Sequence, residues 1–177
     1  MIPELKAALL CEPRWTVAVA ESLTVGHVQA LLGSISGASE YFLGGVTAYT
    51  LEQKVKLLGV DRAAARACNS VSAEVARQMA IGTLKLFESD WSVATTGYAE
   101  RSLETGIAEP FAWWAIAHRR GGEIDVSVAE VSCPNIERLA VQTQVALAVL
   151  QSLLARVREA RAHRHDECVT SWPRCAD

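Results

Sequence analysis

A hydroxyl at the turn between a strand and a helix sits where free backbone N–H groups point outward. The hexapeptide Glu21-Ser22-Leu23-Thr24-Val25-Gly26 offers two such hydroxyls, Ser22 and Thr24. The donors of such a turn favour negative charge, so it could hold a phosphate or stabilise an oxyanion. The plainer alternative is a helix cap. Tyr49 and Lys54 stand five positions apart, one at a strand end and the other near the start of a short helix. A desolvated lysine gives up its proton more readily and can act as a base. The alternative is a solvated surface lysine, with Glu52 close by in sequence. A third stretch, Thr96-Gly97-Tyr98-Ala99-Glu100-Arg101-Ser102, ends a strand and opens a polar loop over 98–110. Strand ends of this kind are the usual ligand position in α/β sheets, and otherwise they are ordinary surface connections.

Other chemistries find no pattern. There is no G-x-G-x-x-G, no P-loop and no G-x-S-x-G. His163, His165, Cys168 and Cys175 lie in an irregular tail without a regular ligand frame, so neither a metal nor a cofactor is expected. Arg156, Arg158, Arg161 and Arg164 are offset by Glu159, Asp166 and Glu167, which reads as a solvated helix end.

The candidate residues need elements to hold them. A short helix over 3–11 precedes a buried strand, Thr16 to Ala20. Val25, Val28, Leu31, Leu32 and Ile35 mark a helix face after the polar turn. Tyr41 to Thr50 reads as a second strand. Leu51 to Leu58 reads as a short helix ended by Gly59, and Arg62 to Cys68 as another. Ser72 caps a helix carrying Val75, Met79, Thr83 and Phe87. Trp91 to Thr96 is a third strand. Phe111 to His118 and Glu123 to Val131 are two more, joined through Arg119-Arg-Gly-Gly122 as a hairpin. Alternation in the strand containing Trp113-Trp114 sends one ring to each face. A long helix from about Asn135 follows, and its apolar stripe ends near Arg158. This order predicts a three-layer α/β/α single domain with a mixed sheet over 1–160, and a mobile tail over 161–177.

The chain has 177 residues, 50% hydrophobic and 21% charged, with a formal net charge of -3. That is enough apolar surface for a core and a formed pocket, and it excludes wholesale disorder. The charge balance argues against nucleic-acid binding. Apolar runs are short and broken by charge, so no membrane span is expected. The segment MIPELKAALLCEPRW lacks a signal-peptide pattern, and the five cysteines are odd in number and widely spaced. Both point to reduced thiols in the cytoplasm.

Four stretches are similar in order and spacing to one known family. They are AESLTVG (Ala20–Gly26), SGASEYFLGGVTAYTLEQKVKLLGV (Ser36–Val60), VSAEVARQMAIGTLKLF (Val71–Phe87) and VATTG (Val93–Gly97). Over about residues 3–157 the chain resembles the CinA C-terminal domain family, which includes nicotinamide-nucleotide amidohydrolases of the PncC type. The resemblance implies hydrolysis of the carboxamide of nicotinamide mononucleotide to the acid and ammonia. It implies Ser22 as nucleophile, Lys54 as the base that activates it, and Tyr49 as a pocket hydroxyl. It also implies Thr96 on the substrate, a small pyridine nucleotide as ligand, and a homodimer; Thr24, Gly97 and Arg101, the loop cation able to meet an anion, are the further substrate-binding candidates. The family's E-S-C-T-G-G is ESLTVG here, with Val25 at the first glycine of its pair. Its Gly-rich loop is the charged TGYAERSLETGIAEP, and its two arginines before the last helix fall on Asn135 and Leu139, with Arg138 beside them. Two readings follow: an amidohydrolase of a nicotinamide nucleotide or related small amide, or a catalytically weak member that binds a small ligand.

Overall fold

The computed structural model describes residues 1–170, with side chains through position 163. Helix α1 (Ile2–Leu10) leads to β1 (Val17–Glu21), whose five residues are all buried. After α2 (His27–Leu32) and β2 (Phe42–Thr47) come three helices, α3 (Leu51–Leu58), α4 (Arg62–Ala67) and α5 (Ala73–Phe87). Strands β3 (Trp91–Tyr98), β4 (Phe111–Arg120) and β5 (Glu123–Ser132) follow, and then α6 (Arg138–Thr170).

The five strands form one sheet in the order β2-β1-β3-β4-β5. β1 pairs in parallel with both β2 and β3, while β4 runs antiparallel to β3 and β5. The sheet is therefore mixed, as the sequence predicts. On one face Leu5, Leu9, Val28, Leu32, Leu150 and Leu153 of α1, α2 and α6 pack on Val17, Val19, Val93 and Ile116. On the other face Leu58, Ala65, Met79 and Leu84 of α3, α4 and α5 pack on Ala20, Ala94, Ala115 and Ala117. Valines toward one layer and alanines toward the other follow from the two-residue period of a strand. Trp114 joins the first layer and Trp113 the second, one ring to each face.

The chain leaves β1 through α2 on one face to reach β2. It returns to β3 through α3 to α5 on the other. The C-terminal ends of β1 and β3 therefore open at the point where the connections diverge, where open α/β sheets bind ligands.

The structure differs from the sequence expectation in three places. Helix α2 starts only at His27, because Val25 (φ 47°) and Gly26 (φ 98°) are both left-handed. Helix α6 continues to Thr170, through the first ten residues expected to be tail. Alanine, arginine and glutamate are good helix formers, so the helix can continue without an apolar stripe. Arg161 also anchors it: the guanidinium lies 3.5 Å over the Trp15 ring and donates to the carbonyls of Ala8, Leu9 and Pro13. The rest of the expected tail, 171–177, lies outside the described residues. Finally, α6 over Arg138–His163 is long and apolar enough by length and composition to cross a membrane, against the expectation from short apolar runs. Half of its most apolar stretch is buried, with Val149, Leu150, Leu153 and Val157 in the sheet-facing core, which is the position of a core helix.

Candidate active site

A cavity of about 580 Å³ opens at the C-terminal ends of β1 and β3. Ser22 enters it directly after β1, and Gly97 and Tyr98 at the end of β3. Tyr49 comes from the connection after β2, and Lys54 from α3. Thr50 caps α3 by accepting from the Gln53 N–H at 3.4 Å, which fixes where the helix starts and so which way Lys54 faces.

Lys54 is 3% exposed. Burial pulls its ammonium from the usual 10.5 down to about 8, and the neighbouring Cys68 thiol opposes that fall. Glu52 does not neutralise it, because its carboxylate pairs with Arg62 at 3.2 Å. Among the described residues the protein acceptor of the Lys54 amine is the Ser70 carbonyl, at 3.5 Å. Ser22 is 6% exposed, and its N–H donates to the Thr95 carbonyl at 3.0 Å, which ties the turn to β3. Ser22, Tyr49, Lys54, Gly97 and Arg101 thus share one cavity.

Two predicted contacts do not reach it. Thr24 is fully buried and its hydroxyl pairs with that of Thr95 at 2.7 Å, so it braces the turn instead of facing ligand. Thr96 is fully buried too, and its hydroxyl donates to the Ser70 carbonyl at 2.8 Å. Thr24 belongs to a seam between the β1 turn and β3, and Thr96 to a seam between β3 and the turn after α4.

The anion cradle expected at the α2 start is already filled. The Glu21 carboxylate accepts from the N–H groups of Gly26 (2.8 Å), Val28 (3.2 Å) and Gln29 (2.9 Å). A buried carboxylate at a helix N-terminus is stabilised by these donors and by the helix dipole. A ligand phosphate has no place there. Arg101 also differs from a bare cation: it pairs with Glu109 at 2.6 Å and reaches the Asn135 side-chain oxygen at 3.3 Å.

Three further residues enter the cavity. Arg138 stands at the start of α6, where it donates to the Tyr49 hydroxyl at 2.9 Å and to Glu100 at 2.6 Å. Its neighbour Leu139 is 65% exposed and lies outside the cavity. Arg66 comes from the last turn of α4 and has no carboxylate partner among the described residues. Ser70 lies in the turn after α4, where Asn69 (φ 49°) and Ser70 (φ 62°) are both left-handed. Each such non-glycine residue costs roughly 1–2 kcal/mol, so the turn is held by its surroundings. The placement of Arg138 was readable once α6 was known to start at that residue. Nothing local in sequence marks Arg66 or Ser70. Among the described residues no group of three His, Cys, Asp or Glu is placed to hold a metal ion.

A family model described as CinA C-terminal domain matches residues 2–157. CinA-like proteins of Picosynechococcus sp. and Synechocystis sp. are 46% and 47% identical over 98 and 119 residues, or 55% and 62% of this chain. Those stretches are 23% and 29% of the relatives, so the chain spans about a quarter of the curated relatives it matches. A solved competence/damage inducible protein CihA from Agrobacterium tumefaciens is 28% identical with a TM-score of 0.76, covering 87% of this chain and 94% of that one. A CinA superfamily protein from Klebsiella pneumoniae, 24% identical, shares the fold at a TM-score of 0.78 over 89% and 96% of the two chains.

Proposed function

The chain belongs to the CinA C-terminal domain family, and we propose that it hydrolyses the carboxamide of nicotinamide mononucleotide or a related small amide. Ser22 is the nucleophile and Lys54 its base. The observation that carries the reading is a buried lysine with pKa about 8, free of carboxylate partners among the described residues, in the same cavity as Ser22. At pH 7.4 about a fifth of such lysines are neutral, against roughly one in a thousand at the ordinary value.

The neutral Lys54 amine takes the Ser22 proton as Oγ adds to the amide carbon. The resulting ammonium gives that proton to the leaving nitrogen as the C–N bond breaks and ammonia departs. Water, deprotonated by Lys54, then attacks the acyl-serine ester. This releases the carboxylic acid, which ionises to the carboxylate by giving its proton to the departed ammonia, and returns the proton on Lys54 to Ser22. The Leu23 N–H, without an acceptor among the described residues, is the adjacent donor for the oxyanion. Tyr49 and Arg138 form the mouth, and Arg66 supplies positive charge for an anionic group on the ligand.

A second reading, a ligand-binding member with little turnover, draws on Glu21 filling the α2 N-terminus and on the pairing of Arg101 and Arg138 with carboxylates. Ammonia release from nicotinamide mononucleotide, its riboside and simple amides separates the two. Turnover abolished by Ser22→Ala and by Lys54→Met supports the hydrolase. Calorimetric binding of these compounds without turnover supports the second reading. Turnover that survives Ser22→Ala sinks the serine mechanism.

A further inference from the structure

We propose that Thr96 is a positioning residue for Lys54: it fixes the Ser70 carbonyl that receives the lysine amine. The inference rests on the reading of Lys54 as base, but its geometry is independent of substrate. The Ser70 carbonyl has two lone pairs and two side-chain donors, the Thr96 hydroxyl at 2.8 Å and Lys54 Nζ at 3.5 Å. All three residues are buried. The shorter bond comes from β3, the central strand of the sheet, where Thr96 pairs with Trp113 of β4 one residue beyond the last β1 partner, Thr95. The longer one comes from a flexible side chain. The rigid partner therefore sets the direction of the carbonyl, and the lysine follows.

The carbonyl needs such a hold. It belongs to a turn with two successive left-handed non-glycine residues, Asn69 and Ser70. The Ser70 N–H is kept by the Ala65 carbonyl at 2.7 Å. β3 grips the turn a second time two residues on, where the Asn69 side-chain amide donates to the Tyr98 hydroxyl at 3.0 Å. Residues two apart on a strand share a face, so Thr96 and Tyr98 act on the turn from the same side.

Other groups bear on Lys54 as well. Cys68 and Arg66 come from the end of α4, and Tyr49 from the connection after β2. Tyr98 and Glu100 come from β3 and beyond, with Arg138 bonded to Glu100 and Arg101 to Glu109. Among the described residues none of them donates a hydrogen bond to the Ser70 carbonyl. Losing the Thr96 hydroxyl releases a full acceptor to the ammonium, which favours the charged lysine.

The test is an NMR titration of protein carrying 13Cε-labelled lysine, with Lys54 assigned by Lys54→Met and with Lys6, Lys56 and Lys85 as references. In the parent the Lys54 midpoint lies near 8. Thr96→Val raises it by about one unit, which cuts the neutral fraction at pH 7 roughly tenfold. Thr96→Ser, which keeps the hydroxyl, restores the parent midpoint. Thr96→Ala, with no added bulk, decides the matter if Thr96→Val does not fold. A folded Thr96→Val or Thr96→Ala protein with an unmoved midpoint overturns the proposal, as does failure of Thr96→Ser to restore it. No substrate is involved, so absence of amide turnover would sink the hydrolase reading and leave this result legible.

Discussion

Replacing Lys54 by methionine should make the protein more stable while removing the proposed base. A lysine held at about 8 when folded and near 10.5 when unfolded binds its proton more weakly in the native state. Below pH 8 both states are charged, and the folded state carries the full desolvation cost. The gap of about 2.5 units corresponds to about 3 kcal/mol. Above pH 10.5 both states are neutral and the cost vanishes. Stability contributed by this site is therefore complete above pH 10.5 and is lost as pH falls toward 8. Methionine has a similar volume and no charge, and the Ser70 carbonyl keeps its Thr96 donor. Urea unfolding at pH 7 should show Lys54→Met up to about 3 kcal/mol more stable than the parent. The difference should shrink steadily between pH 8 and 10.5. Equal or lower stability of the variant at pH 7, or a difference independent of pH, would refute a desolvated lysine at this position. A gain in stability with a loss of turnover is the trade expected of an active site.

Val25→Gly should relieve a β-branched residue at φ 47° whose side chain is 45% exposed, so little packing is lost. Relief of roughly 1–2 kcal/mol, less the entropy of glycine in the unfolded chain, leaves about 1 kcal/mol and a rise in Tm of roughly 2–4 °C by calorimetry. Glu21→Gln weakens three N–H bonds at the α2 start and should cost about 2–4 kcal/mol, or roughly 5–15 °C in the same scan. A shift under about 2 °C would mean that the turn is held by other contacts. Arg161→Ala removes the cap on the α1 carbonyls and the contact over Trp15, and should lower urea stability by about 1–3 kcal/mol.

The layers and sheet were readable because periodicity reports burial. The VAVA run of β1 has no alternation since both its faces are covered, and Trp113 and Trp114 divide as a strand requires. Ser22, Tyr49 and Lys54 were legible from motif and spacing as candidates, but their environment was not. Glu52 stands two residues from Lys54 in sequence and turns away to Arg62. Thr24 and Thr96 carry the right chemistry for ligand contact, yet each satisfies a partner distant in sequence, Thr95 and Ser70. Glu21 is the clearest case. Nothing within the hexapeptide marks it as a cap, and only the return of the chain into α2 shows both its oxygens accepting from N–H groups at that helix start. Loop 98–110 departs most from the family pattern, yet through Glu100 and Arg101 it borders the cavity.

The charges around the cavity set how strongly it can favour an anionic ligand. Glu21 denies that ligand the α2 N-terminus, so guanidinium groups must provide the contact. Arg101 and Glu109 are 59% and 40% exposed, and Arg138 and Glu100 are 44% and 65% exposed. Surface pairs of this kind contribute at most about 1 kcal/mol, so opening one for a phosphate costs about a factor of five in affinity. A charged hydrogen bond to the phosphate returns roughly 1.5–3 kcal/mol. The carboxylates are thus weak occupants of the arginines, and a phosphate can displace them at a small net gain. Contact through one paired arginine should therefore make nicotinamide mononucleotide bind only about 2–30-fold more tightly than its riboside by calorimetry, and contact through Arg66, which has no carboxylate to displace among the described residues, about 10–160-fold. A preference of several thousandfold would require a phosphate cradle at the α2 start, which the Glu21 carboxylate occupies.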